Sequence, residues 1–310
     1  MPKAAIYREY GDSSVLTIAD VPMPEPGPGM VRVRVEYAAV NPVDSKMRSG
    51  VLGDGSPLAA PAIAGMDVAG VVDAVGEHVD GLRPGDRVAG LSPSGAAAEY
   101  VVTYAAALVQ VPEHVSSLVA ATIGVGGSTA VRALGLAEVT KGQLILVDGA
   151  AGGVGTFLTQ LARARGVQVV GTASRHNHAH LTTLGATPIE YGSGAEWERA
   201  ALEAAAGGLY DAAFDLVTGG KYDVFRRITT PDAPVVTLVD PEVPARGGIL
   251  VTGLEPSFDH ALQEVMDAIA DGELDVPIAE VFPLAEIAAA QDLSAEGHVR
   301  GKLVLAVAAP

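Results

Sequence analysis

Residues 143–166, QLILVDGAAGGVGTFLTQLARARG, constrain the fold more than any other stretch of the chain. An unbroken apolar strand runs into Gly149, Gly152, Gly153 and Gly155, and an amphipathic helix follows at once and stops at Gly166. A second apolar strand, VQVVGTAS, comes next. Side chains this small let the backbone turn tightly and approach an anion held at the helix N-terminus. Strand, glycine turn, helix and second strand in that order, within about 30 residues, are the signature of a dinucleotide-binding βαβ unit. Ala151, Gly152, Gly153, Val154 and Gly155 are the candidate pyrophosphate contacts. A tight βα turn without a ligand is the plainer reading.

The end of the second strand bears on the choice of cofactor. Units that bind NAD commonly carry a carboxylate there, accepting from the ribose hydroxyls. This chain has Ser174-Arg175, and the adjoining segment offers no acid. A hydroxyl donor and a guanidinium suit a 2′-phosphate, so NADPH is the expected cofactor. Arg175 as a mere surface cap is the alternative. His176, His178 and His180 alternate, and on a helix residues two apart face different ways, so they are read as surface residues rather than metal ligands.

Around this unit the pattern changes twice. The first ~110 residues read as short strands between Pro/Gly turns: VRVRVEYAAV (31–40) alternates apolar and polar residues, and AGVVDAVG, GDRVAGL and AAAEYVV follow. Such punctuation suits a small β-barrel. Residues 143 to about 253 alternate strand and helix, as a parallel sheet covered on both faces requires. In the tail, 257–271 reads as a helix, PIAEVFPL as extended, 284–293 as helix and GKLVLAV as a strand free to return to the first domain. The expected organisation is α/β with two domains, 1–117 plus 256–310 and 118–255.

Composition removes other classes. Cysteine is absent, which excludes disulfides, thiolate nucleophiles and Cys-rich zinc sites. A net charge of −17 without a basic block disfavours nucleic acid. No apolar stretch approaches the roughly 18 residues of a membrane span, and the N-terminus lacks a secretory pattern, so a cytoplasmic location is expected.

Read end to end, the chain resembles the zinc-free quinone-oxidoreductase and enone-reductase branch of the medium-chain dehydrogenase/reductase superfamily. The resemblance rests on PMPEPGPG, Asn41-Pro42-Val43-Asp44, GMDVAGVVDAVG, GLRPGDRVAG, STAVRAL, DGAAGGVG and GKLVL in that order. It implies a GroES-like barrel to which the C-terminal segment returns, a Rossmann domain, an active site in the cleft between domains, and a homodimer, to which RGGILVTG (246–253) is a candidate contributor. The zinc alcohol dehydrogenases of the superfamily carry Cys where this chain has Asn41 and Gly-His-Glu where it has Gly65-Met66-Asp67. Two metal ligands are thereby lost, and no metal is expected.

The resemblance implies that Asn41 and Thr129 lie by the nicotinamide, Leu238 and Val239 beneath it, Tyr191 near the 2′-phosphate, and Arg300 and Lys302 as cofactor-contacting cations. Asn41, Asp44, Lys46 and Thr129 are the catalytic candidates. Asn41, Pro42 and Asp44 equally make a good helix start, and Thr129 equally suits a helix hydroxyl bonded to its own backbone. Lys46 stands where quinone reductases have Tyr and plant enone reductases have Lys; it is read as a donor to an enolate oxygen or as a solvated helix residue. Arg48 is read as structural or as a rim residue. The Lys that usually grips the 2′-phosphate is replaced by Asn177, leaving Arg175 to pair with it. The glycines at 124, 126 and 127 suggest a widened pocket for a bulky substrate. The expected reaction is hydride transfer from NADPH to a quinone or an α,β-unsaturated carbonyl. A dedicated biosynthetic enoyl or ketone reductase, or a non-catalytic NADPH-binding protein, are the alternatives.

Overall fold

The computed structural model describes every residue except 54, 218, 219, 254, 256, 257, 309 and 310. The chain divides into two compact units, one made of Met1–Gly126, Leu262–Asp271 and Val276–Pro310, the other of Gly127–Ala261 and Gly272–Asp275.

The N-terminal part of the first unit supplies β1 (Lys3–Tyr7), β2 (Thr17–Asp20), β3 (Met30–Val40), α1 (Pro42–Arg48), β4 (Ala62–Ile63), β5 (Asp67–Val75), β6 (Arg87–Leu91), β7 (Tyr100–Tyr104), β8 (Leu108–Gln110) and α2 (Ser117–Ala120). The alternation read in 31–40 is the pleat of β3: Val31, Val33 and Val35 are buried while Arg32 turns outward to Asp73 and the Pro24 carbonyl. Beyond α2 the backbone widens into a π-helical turn, Ile123–Gly127.

The second unit runs α3 (Ser128–Leu136), β9 (Leu144–Asp148), α4 (Gly153–Ala164), β10 (Gln168–Ala173), α5 (His178–Thr183), β11 (Thr187–Glu190), α6 (Gly194–Ala204), β12 (Ala212–Asp215), α7 (Tyr222–Ile228), β13 (Val235–Thr237) and β14 (Ile249–Leu250). Its six strands lie in the order β11-β10-β9-β12-β13-β14, and every pair is parallel. The order reverses between β9 and β12, the switch point at whose carboxyl edge such sheets bind ligands. Buried on both faces, the strands need no polar alternation, which is why LILVD reads as a continuous apolar run.

The chain then supplies α8 (Ala261–Ala270), β15 (Ile278–Pro283), α9 (Ile287–Glu296) and β16 (Lys302–Ala306). The helix expected over 257–271 is found as α8, Ala261–Ala270, with position 257 outside the described residues; before it Phe258 packs against Gly135, where a Cβ would come within 2.2 Å of its ring. The closing strand does return to the first unit: β16 pairs antiparallel with β3, Leu303 opposite Val40. The sheet order β15-β16-β3-β5-β6-β8 therefore seats β3 between β16 and β5. That placement brings Lys302 and Asp67 to Asn41.

Candidate functional site

In the first unit, β3 ends at Val40 and Asn41 caps α1, with Pro42 at the first helical position. The Asn41 backbone N–H donates to Asp44 Oδ2 at 2.8 Å, which closes the first turn. Because β16 and β5 flank β3, Lys302 and Asp67 arrive beside Asn41 from positions 261 and 26 residues away. The Lys302 ammonium donates to Asn41 Oδ1, and Asn41 Nδ2 donates to Asp67 Oδ2 at 3.0 Å. An ammonium can only donate, so the network fixes which way the amide faces. Asn41, Asp67 and Lys302 are each no more than 3% exposed.

Asp67 is surrounded by donors: Asn41, Lys302 at 3.5 Å, and the Val125 backbone N–H at 2.6 Å in the π-turn. Burial pushes its carboxyl up, and Lys302, the Asn41 amide and the Val125 N–H pull it back. Gly124 belongs to this packing. A Cβ there would lie 2.4 Å from Asp67 Oδ1 and 2.8 Å from the Gly90 carbonyl oxygen, so the glycine admits the carboxylate.

Asp44 is buried, and its Oδ1 has no hydrogen-bond partner among the described residues. Burial first, then the nearby Asp67 charge, push its carboxyl from 3.8 up to about 7, against the pull of the Asn41 N–H and Lys302. A folded-state pKa above the unfolded one gives stability that is complete below pH ~4 and lost as pH rises through about 7. The three-unit difference corresponds to on the order of 4 kcal/mol. Asp44→Asn keeps an acceptor for the Asn41 N–H without the buried charge. Its stability, followed by urea titration, should exceed that of the wild type at pH 8, with a flatter pH dependence between 4 and 7. A wild-type-like decline in the variant would assign the pH dependence elsewhere.

Lys46 is half-buried on α1, and Arg300 is exposed. Arg48 is structural, its guanidinium donating to Gln291 Oε1 at 2.7 Å and the Gly11 carbonyl at 2.8 Å.

In the second unit the glycine turn leaves β9 and enters α4 with Gly152 as N-cap, uncapped by any side chain. Gly152, Gly153 and Val154 are half-exposed while Ala151 and Gly155 are buried. A Cβ on Gly155 would lie 2.3 Å from the Gly149 carbonyl oxygen, so the helix can start this close to the strand only without one. A Cβ on Gly152 meets nothing nearer than 3.4 Å, which leaves room above the helix N-terminus. This cradle fits a pyrophosphate: small, amide-rich and at the positive end of a twelve-residue helix.

Ser174, Arg175 and Tyr191 gather at the ends of β10 and β11, whose register sets Ala173 beside Glu190. Asn177 is buried and donates to Ser174 Oγ at 3.3 Å, so it tethers the serine. The sequence reading missed Glu190. Its carboxylate lies 3.5 Å from the Arg175 guanidinium, with side-chain exposures of 57% and 84%. Leu238 donates its backbone N–H to the Asp215 carbonyl, and Val239 donates to Thr237 Oγ1. Thr129 is half-buried in the first turn of α3.

A second missed group stiffens the glycine turn. Asp148, fully buried, accepts from Thr172 Oγ1 at 2.5 Å and from Lys221 Nζ at 2.8 Å, while the Gly149 N–H donates to Thr172 Oγ1. Burial and the Asp148 charge push Asp215 up to about 6 and raise the Tyr191 phenol. Only the acidic residue before the turn marks this group in the sequence; its partners lie 24 and 73 residues away.

Among the described residues, no group of three or more His, Cys, Asp or Glu is placed to hold a metal, and no helix is long and apolar enough to cross a membrane.

Residues 27–113 match the family described as alcohol dehydrogenase GroES-like domain, and residues 184–305 the family described as zinc-binding dehydrogenase. The chain is 30% identical over 324 residues to the chloroplastic quinone-oxidoreductase QR1 of Triphysaria versicolor, covering 98% of both. Among solved structures, the quinone oxidoreductase from Coxiella burnetii superposes with a TM-score of 0.85 at 31% identity, over 99% of each chain. A mycobacterial protein, Rv1454c, solved in complex with NADPH, gives a TM-score of 0.85 at 30% identity over 99% of this chain and 100% of its own. Similarity of this extent, on a GroES-like unit and a parallel sheet with a glycine turn at its switch point, settles kinship: the chain belongs to the quinone-oxidoreductase branch of the medium-chain dehydrogenase/reductase superfamily.

Proposed function

We propose that the chain is an NADPH-dependent oxidoreductase that delivers hydride, without a metal, to a quinone or an α,β-unsaturated carbonyl. The observation that carries this reading is the buried Asn41–Asp67–Lys302 cluster. Positions 41 and 66, where the resemblance puts the Cys and His ligands of zinc enzymes, hold Asn and Met, and an ammonium is seated beside Asn41. Such a site suits acceptors whose developing charge delocalises onto an oxygen. It suits alcohol oxidation poorly, since that reaction leans on a Lewis acid.

A bound nicotinamide would supply two electrons and a proton as hydride from C4; a second proton, from water or Lys46, then completes a hydroquinone at its oxygen or, through the enol, a saturated carbonyl at its α-carbon. The α4 N-terminus holds the pyrophosphate, and Ser174, Arg175 and Tyr191 hold the adenosine end. Thr129, Leu238 and Val239 bed the nicotinamide. Asn41 has one amide N–H left after serving Asp67, and that N–H receives the oxygen on which charge collects. Two short paired residues of β14 at the sheet edge leave a strand for a second copy, and a homodimer is part of this reading.

Glu190 bears on cofactor choice. Its charge partly offsets Arg175 and repels a 2′-phosphate, while it offers the ribose hydroxyls of NADH an acceptor. Glu190→Gln should raise the NADPH-over-NADH ratio of kcat/KM roughly 2- to 5-fold, since an exposed pair is worth under about 1 kcal/mol. An unchanged ratio would remove Glu190 from selectivity.

The test of the function itself is NADPH oxidation, followed at the nicotinamide absorbance, against quinones, enones, enals and simple ketones. Turnover of quinones or conjugated carbonyls, with simple ketones inert, supports it. NADPH binding with no turnover of any acceptor would favour a dedicated biosynthetic substrate or a non-catalytic role.

A further inference from the structure

Lys302 is, with Arg48, one of the buried cations of the first unit. It is 3% exposed, and its ammonium contacts Asn41 Oδ1 and Asp67 Oδ2. Two of the ammonium's three donor directions are thus spent on Asn41 and Asp67, which aims it into the cluster rather than at a cofactor phosphate. Its position is set by the sheet: Leu303 pairs with Val40, so Lys302 falls next to Asn41, and β5 brings Asp67 to the other side of β3. Asp67 is itself anchored by the Val125 N–H, in a turn where only glycine at 124 leaves room. The arrangement holds one amide by both ends.

We infer that Lys302 is a positioning residue that orients Asn41 and polarises its amide, so that the amide's remaining N–H becomes a stronger donor to the acceptor oxygen. This rests on the hydride-transfer reading given above. An amide whose carbonyl accepts from an ammonium carries more positive charge on its N–H groups, and hydrogen bonds in such a chain strengthen one another. Asp67 fixes the other N–H and balances the buried charge. Lys302 thus acts through Asn41 and touches neither substrate nor cofactor.

The chain contains only two asparagines, Asn41 and Asn177, so asparagine-selective ¹⁵N labelling gives two side-chain amide pairs, assigned by Asn177→Ser. In the wild type, the Asn41 N–H held by Asp67 should exchange with solvent far more slowly than a free amide, and Lys302→Arg should preserve that protection. For the rate, Lys302→Met alone strands a buried carboxylate, so Lys302→Met with Asp67→Asn is the informative variant. Its single-turnover hydride transfer should fall roughly 10- to 100-fold, part of what a lost oxyanion donor costs. The KM for NADPH should stay within about 2-fold, on the view that Lys302 does not touch the cofactor. A folded double variant with the wild-type rate, or an Asn41 amide exchanging like a free one, would overturn the inference. If the double variant does not fold, the exchange measurement decides. Failure of the wild type to oxidise NADPH would count against the hydride-transfer reading and leave the amide result standing.

Discussion

Gly155→Ala is expected to weaken NADPH binding by about 5- to 150-fold. The added carbon would lie 2.3 Å from the Gly149 carbonyl oxygen, 2.7 Å from Ala150 Cα and 2.8 Å from the Ala150 carbonyl carbon. All three are backbone atoms, so no rotamer change relieves the clash. The first turn of α4 must lift away from the end of β9, and overpacking of this kind costs about 1–3 kcal/mol. The displaced groups are the amides at Gly152, Gly153 and Val154 that face an anion in this reading, so the distortion appears in binding, at about tenfold per 1.4 kcal/mol. Nicotinamide fluorescence titration measures it. An unchanged dissociation constant in a folded variant would mean that the turn does not hold the pyrophosphate.

The largest effect on the chemical step is expected from Asn41→Ala. Removing one donor aimed at a developing oxyanion costs about 100- to 1000-fold in rate. The substitution also deprives Lys302 of its carbonyl partner and Asp67 of an N–H, so melting temperature should fall as well. NADPH binding to the glycine turn and the adenosine-end residues should persist. Single-turnover reduction at saturating NADPH separates these effects. A rate within about twofold of wild type would remove Asn41 from the mechanism.

Much of the fold was legible because local pattern and tertiary role coincide. The apolar run at 144–148, the glycines after it and the amphipathic helix specify β9, the turn and α4 without reference to the rest of the chain. The alternating valines of 31–40 likewise declare a half-buried strand.

The site was legible residue by residue and not as an arrangement. Asn41 and Lys302 both stood out, yet their hydrogen bond depends on β16 lying beside β3, which no local signal encodes. Glu190 escaped notice for a similar reason. The reading sought an acid at the end of β10, and the parallel register with β11 supplies one from the neighbouring strand. The packing of Gly124 against Asp67 was not legible either, because the two lie 57 positions apart.

The most direct single measurement is the fate of deuterium from NADPH carrying it at both C4 positions, with the purified chain and a cyclic enone or, in parallel, NADPH consumption with an ortho-quinone. Hydride transfer requires deuterium on the β-carbon of the saturated ketone, or stoichiometric NADP⁺ and hydroquinone. NADPH bound but unoxidised with both acceptors, or a saturated ketone without the label, would contradict it.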